Sequence, residues 1–144
     1  APLQLTVNDA AKTYGSALVF DGTEFAVTGG ELFFDDSVDS LAIASAGAAA
    51  QAEVAGSPYA ITGGAPLSGT RIGNYDVTVL DGALTVDAAP LQLTVNDAAK
   101  TYGSALAFDG TEFAVTGGEL FFDDSVDSLA IASAGAAAQA EVAG

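Results

Sequence analysis

The chain of 144 residues contains no cysteine, methionine, tryptophan or histidine, and only three basic residues stand against 19 acidic ones. Each absence closes a route. Without cysteine there is no disulfide framework and no thiolate chemistry. Without histidine or cysteine, the usual general base, the usual nucleophile pairs and the usual zinc ligands are all missing. A serine or threonine nucleophile would need Lys12, Lys100 or a carboxylate as its base. The two lysines occupy equivalent positions of one repeated turn, and the plainer expectation is that Lys12 spans to a nearby carboxylate. An isopeptide link from Lys12 to an Asn or Asp is a further option. Carboxylate pairs of the glycosidase kind are possible by number, but they usually come with aromatic sugar platforms, and tryptophan is absent. No catalytic residue is assigned, and the chain is not read as an enzyme.

Charge of one sign excludes more. A formal net charge of -16 rules out non-specific nucleic-acid binding, which needs basic residues to displace phosphate counterions. It also disfavours adsorption on an anionic membrane. No apolar run approaches the roughly 20 residues of a membrane-spanning helix, so no direct membrane insertion is expected. The chain begins at Ala1, without Met or a leader, and reads as an excerpt of something longer. β-Branched and aromatic residues are spread evenly, unlike a disordered acidic tail, so it should fold.

What is present is repetition. Ala1–Lys12 reappears as Ala89–Lys100, a period of 88, and residues 1–56 match residues 89–144 except at Val19, where the second copy has Ala107. The expected domains are a complete repeat over 1–88 and a truncated second copy over 89–144, equivalent to 1–56. Near-identical consecutive copies favour a repeated mechanical or display role over a unique pocket.

Local signals are β. Leu3-Gln4-Leu5-Thr6-Val7 alternates apolar and polar residues at period 2, as a half-buried strand does. Leu41–Ile43 and Tyr59–Ile61 continue the style. Tyr75–Val79 and Ala83–Val86 flank Asp81-Gly82, which predicts a tight hairpin with positive φ. Gly29-Gly30 and Gly63-Gly64 predict further turns. A short helix is expected over Asp35–Ser40, capped by Asp35 or Asp36, and Ala46–Val54 is read as loop and short strand. At the junction Val86–Leu91, Pro90 biases Ala89 towards extended geometry. Such a stiff connector between abutting copies predicts an elongated arrangement.

Asn8–Ser16, Phe20–Phe25, Ser45–Ala48, Gly56–Ile61, Asn74-Tyr75 and Asp81–Val86 stand in an order that resembles the MBG ("mostly beta-grasp") domain of the YGX type, found as tandem arrays in secreted bacterial adhesins. Phe33-Phe34-Asp35-Asp36 departs from the usual polar turn of that pattern. The resemblance implies a mostly-β, β-grasp-like fold and an exported, surface-associated location. It names no ligand.

Two constellations remain. Asp35, Asp36 and Asp39, with their copies Asp123, Asp124 and Asp127, offer hard oxygen ligands for calcium within five residues, with Asp21 and Glu24 expected near them, although the spacing is not that of an EF-hand. No other cofactor is expected. The alternative is helix capping on a solvated face. The adjacent pairs Phe33-Phe34 and Phe121-Phe122 would present opposite faces in a strand, one ring in the core and one outside. They form either a plug under a loop or a contact between domains or chains. The expected function is a structural repeat of a secreted bacterial surface adhesin or extracellular filament, giving length and stiffness. Its partners would be neighbouring repeats of the same or a longer chain, or a homopolymer joined by strand pairing. The alternative is an adhesive module that recognises a host or matrix glycan.

Overall fold

The computed structural model describes residues 1–142 and divides into two compact units, Ala1–Ala88 and Ala89–Gly144. The first contains seven strands: β1 (Pro2–Val7), β2 (Ala10–Thr13), β3 (Phe25–Gly30), β4 (Ser40–Ala44), β5 (Tyr59–Ser68), β6 (Asp76–Leu80) and β7 (Gly82–Asp87). The second contains β8 (Leu91–Val95) and β9 (Phe113–Gly118). Among the described residues the helical pieces are four three-residue 3-10 turns, and the fold is mostly β.

In the first unit the alternation of β1 becomes burial: Leu3, Leu5 and Val7 are 2%, 0% and 1% exposed. Their polar neighbours face outward, where Thr6 Oγ1 and Thr28 Oγ1 share a 2.7 Å hydrogen bond. Full burial of an aliphatic side chain contributes about 1.5–3 kcal/mol, so this short stretch anchors the unit. Leu3, Leu5 and Leu41 centre one apolar cluster; Val7, Ile61 and Leu84 centre a second. Ile43 and Val79 touch both.

The strands form two sheets, ordered β3-β1-β6 and β2-β7-β5-β4. Strand β1 lies antiparallel to β3 and parallel to β6, and β2 lies parallel to β7. Pro2 faces Asp76, Thr6 faces Leu80 and Ala10 faces Leu84, so a sequence offset of 74 is kept across both pairings. Strands β1-β2 and β6-β7 are thus one parallel ribbon that passes from the first sheet into the second without slipping register.

That ribbon replaces the expected hairpin. One residue, Asp81, separates β6 from β7, fewer than the two that the tightest hairpin needs. Gly82 is required for a reason other than positive φ. A Cβ there would lie 2.5 Å from the Asn8 carbonyl oxygen and 2.7 Å from that of Val7, so the bend works only where a backbone can approach closely. The Asp9 carboxylate stitches the same point, accepting from the Ala83 amide at 2.9 Å.

Other expectations are corrected as well. Gly29-Gly30 ends β3 and Gly63-Gly64 lies inside β5 rather than in turns. A Cβ on Gly63 would strike the Leu41 side chain, so this glycine makes room for the core. The Ala-rich stretch holds two 3-10 turns, Ala46–Ala48 and Val54–Gly56, and no strand. No helix forms over Asp35–Ser40. Phe34 sits at φ 56, which interrupts helical geometry, and the Asp39 amide donates across the chain to Ser68 O at 2.7 Å.

Candidate functional site

Where the sequence proposed calcium ligands, the first unit has a polar latch. The Tyr75 hydroxyl donates to Asp36 Oδ2 at 2.6 Å and accepts from the Phe33 amide at 2.8 Å. The chain's single arginine, Arg71, pairs through Nε with Asp36 Oδ1. These contacts tie the turn at Phe33–Asp36 to the 3-10 turn Ile72–Asn74. The Tyr75 hydroxyl, opposed by partial desolvation and helped by Arg71, holds the Asp36 carboxyl below its ordinary 3.8. Desolvation and then the Asp36 carboxylate push the Tyr75 phenol up from 10.0.

Of the remaining expected ligands, Asp39 accepts from Ser37 Oγ at 2.9 Å and its copy Asp127 from Ser125 Oγ at 2.8 Å. Asp35, Asp123 and Asp124 complete the set. Among the described residues no group of three or more acidic side chains is arranged to hold a metal ion. Asp21 and Glu24 serve their own turn. Asp21 Oδ1 accepts from the Thr23 hydroxyl at 2.7 Å and the Thr23 amide at 3.0 Å. The Glu24 carboxylate accepts from the amides of Asp21 and Gly22 at 2.9 and 3.0 Å. The Thr23 hydroxyl, then its amide, lower the pKa of Asp21, and Thr111 does the same for Asp109 in the second copy.

Lys12 is a buried charged residue, 8% exposed, and among the described residues it does not reach a carboxylate. Its Nζ donates to the backbone oxygens of Ser16 and Ala49, each at 2.9 Å. It therefore pins two loops together. Lys100 repeats the clamp on Ser104 and Ala137 at 3.0 and 2.9 Å. Phe33 and Phe34 lie in a turn, not a strand, with ring centroids 6.3 Å apart. Phe33 is 44% exposed and Phe34 95% exposed, so neither enters the core.

The second unit keeps what its sequence can form alone. Leu91 faces Gly118 across β8–β9, as Leu3 faces Gly30 across β1–β3, with the same irregularity one residue on. The Asp109 turn is retained. Among the described residues there is no strand at 98–101 or 128–132, the equivalents of β2 and β4. Those strands pair with β7 and β5 in the first unit, and residues 57–88, which carry β5 to β7, have no second copy in the sequence.

Sequence reasoning missed Asp9, Arg71 and Tyr75 as structural contacts. A lone arginine in so acidic a chain is the one signal that pointed towards such a latch. The family model of the MBG domain (YGX type) matches residues 3–85, which covers the sheets, the bend and the latch. Domains of this kind typically occur in repeat-containing extracellular surface proteins. No curated protein and no solved structure matches the chain. With its family pattern spread over nearly the whole first unit, the chain belongs to the MBG domain family of the YGX type.

Proposed function

We propose that this chain is a load-bearing structural repeat of a secreted bacterial surface adhesin or extracellular filament, acting passively and without catalysis. The observation that carries the reading is the in-register parallel ribbon. Chain enters the first unit at β1, where Ala1 O accepts from the Asp76 amide at 2.7 Å, and leaves after β7, where Asp87 O accepts from the Tyr14 amide at 2.9 Å. Tension between those points pulls β1-β2 and β6-β7 in opposite directions along their length. Five register pairs in β1–β6 and four in β2–β7 are loaded together, in shear. Contacts that share a load must fail at once, whereas an unzipping pair fails one contact at a time.

The second unit supplies an internal comparator. Leu91 and Gly118, at the two open ends of β8–β9, face each other, so tension peels that hairpin from one end. Single-molecule pulling on the whole chain tests the reading. The first unit should unfold in one step at a force well above that which opens the second. The chain length released should be roughly 290–320 Å, at 3.3–3.6 Å for each extended residue of 88, less the distance between the ends of the folded unit. Yielding of the first unit at or below the force of the β8–β9 hairpin would remove the load-bearing role. Neighbouring repeats are the partners in this reading, and acidity keeps them soluble and apart.

A second reading, an adhesive module for a host or matrix glycan, draws on the 95% exposure of Phe34 beside an acidic turn. Binding of the chain to a glycan array, lost on Phe34→Ala, would favour it over the passive role.

A further inference from the structure

Strand β6 (Asp76–Leu80) is the outer strand of its sheet, paired among the described residues with β1 alone. The edge is open because of how the first unit folds. Strand β5 flanks β7 only over Tyr59–Ile61, then leaves to pair with β4 over Thr62–Ser68, so it does not continue alongside β6. Successive residues of a strand turn their N–H and C=O groups to opposite sides. The Asp76 amide donates to Ala1 O at 2.7 Å, so Asp76, Thr78 and Leu80 turn their main chain towards β1. Val77 and Val79 turn theirs to the open side, while their side chains pack on the apolar clusters.

The other edges of the unit are guarded in ways that β6 is not. Register shifts break the pairing of β3 with β1 and of β4 with β5, the irregularity by which natural edge strands deter further pairing. Strand β2 keeps its register but is only four residues long. Strand β6 runs five residues in unbroken register, without proline or lysine. Its charges stand at its ends: Asp76 and Asp81, both exposed, bracket Val77–Leu80 over about 17 Å of extended chain.

Those brackets select the occupant. The sequence has three basic residues, and each is engaged: Lys12 and Lys100 hold backbone carbonyls, and Arg71 pairs with Asp36. A second copy of this chain would therefore set acid against acid at the edge, which weakens strand pairing. We propose that the outer edge of β6 is a strand-addition site for a basic extended segment of another protein, with β-branched residues opposite Val77–Leu80 and Lys or Arg meeting Asp76 and Asp81. Main-chain hydrogen bonds to Val77 and Val79 give affinity, and the two carboxylates select the partner by charge. This site is separate from the load-bearing role, because it uses the side of β6 that faces away from β1 and needs no tension.

The test uses the full 144-residue chain, isotopically labelled in its amides, and two synthetic peptides, Lys-Val-Thr-Val-Thr-Lys and Glu-Val-Thr-Val-Thr-Glu. Residues 57–88 occur once in the sequence, so the resonances of β6 are not doubled. The basic peptide should shift the Val77 and Val79 amides in a saturable titration and slow their hydrogen exchange. Its affinity should fall by about threefold or more between about 20 and 500 mM salt. The acidic peptide should leave both amides in place. Asp76→Asn together with Asp81→Asn should weaken the basic peptide by about threefold or more, with the rest of the spectrum unchanged to show that the variant is folded. Equal shifts by the acidic peptide, shifts confined to residues outside 76–81, or no saturable shift at about 2 mM basic peptide would each overturn the inference. So would shifts of Val77 and Val79 that grow with chain concentration alone, since these would assign the edge to a second copy.

Discussion

Leu3→Ala and Leu91→Ala make the same substitution at the same place in two copies of one sequence. Leu3 is 2% exposed and belongs to the first apolar cluster; Leu91 is 38% exposed. Truncating a buried leucine to alanine costs about 2–5 kcal/mol, through lost transfer energy and the cavity left behind. Leu3→Ala should cost ~3 kcal/mol. Leu91 lies on β8, which among the described residues pairs with β9 alone, so Leu91→Ala should cost under ~1 kcal/mol. For a unit of 88 residues, 1 kcal/mol corresponds to roughly 4–8 °C in Tm. Leu3→Ala should therefore lower the main transition by about 12–24 °C, while Leu91→Ala should move it by less than about 2 °C. Calorimetry of the whole chain reads both, and tyrosine fluorescence follows the first unit through Tyr14, Tyr59 and Tyr75. Equal losses from the two variants would refute the reasoning, because they would mean that the second copy buries β8 as deeply as the first buries β1.

Gly82→Ala should destabilise the first unit by about 1–3 kcal/mol through overpacking, whereas Gly64→Ala, whose Cβ meets nothing within 4 Å, should stay within about 1 kcal/mol of the parent; urea titration compares them. Lys12→Met should cost about 1–3 kcal/mol, since it leaves the Ser16 and Ala49 carbonyls unanswered, with the loss visible as faster exchange at residues 14–18. Asp21 and Asp36 have folded pKa values below their ordinary 3.8, so their contribution is complete above the unfolded value of about 4 and fades as pH falls through the folded values. Asp36→Asn should flatten that acid limb in a pH series of Tm. Tyr75, raised above 10.0, contributes fully below about pH 10 and loses its contribution as pH rises beyond it, a limb that Tyr75→Phe should remove. Calcium or a chelator should leave Tm within about 1 °C, because Asp36 is engaged by Arg71 and Tyr75.

Strand β1 was legible because its period-2 pattern is a local property, and the same five residues form a strand in both units. Strand β4 was read at Leu41–Ile43 and β2 was not, and the second copy shows what both depend on. Ala98–Thr101 and Ser128–Ala132 have the sequences of β2 and β4 but are not strands where β7 and β5 are absent. Pairing, not propensity, decides them. The hairpin at Asp81-Gly82 failed for a related reason: glycine permits both a positive-φ turn and a close backbone approach, and nothing within five residues tells the two apart. Only Val7 and Asn8, more than 70 residues away, do so. At Phe33–Asp39 the acids invited a cap or a cation, but Arg71 and Tyr75 lie 35 or more residues further on. The calcium reading was therefore made without sight of the groups that hold Asp36.

The constant offset of 74 between the ribbon's two strands also bears on when the unit can acquire its structure. Neither half of the ribbon can close until the last 13 residues of the 88 are available, and closing so long a loop costs entropy before any pairing repays it. Until then β1 can pair with β3 but not with β6, much as β8, among the described residues, pairs with β9 alone. A polypeptide threaded through an export channel from its N-terminus would stay pliable until nearly all of a repeat had emerged, and would then stiffen one whole repeat at a time.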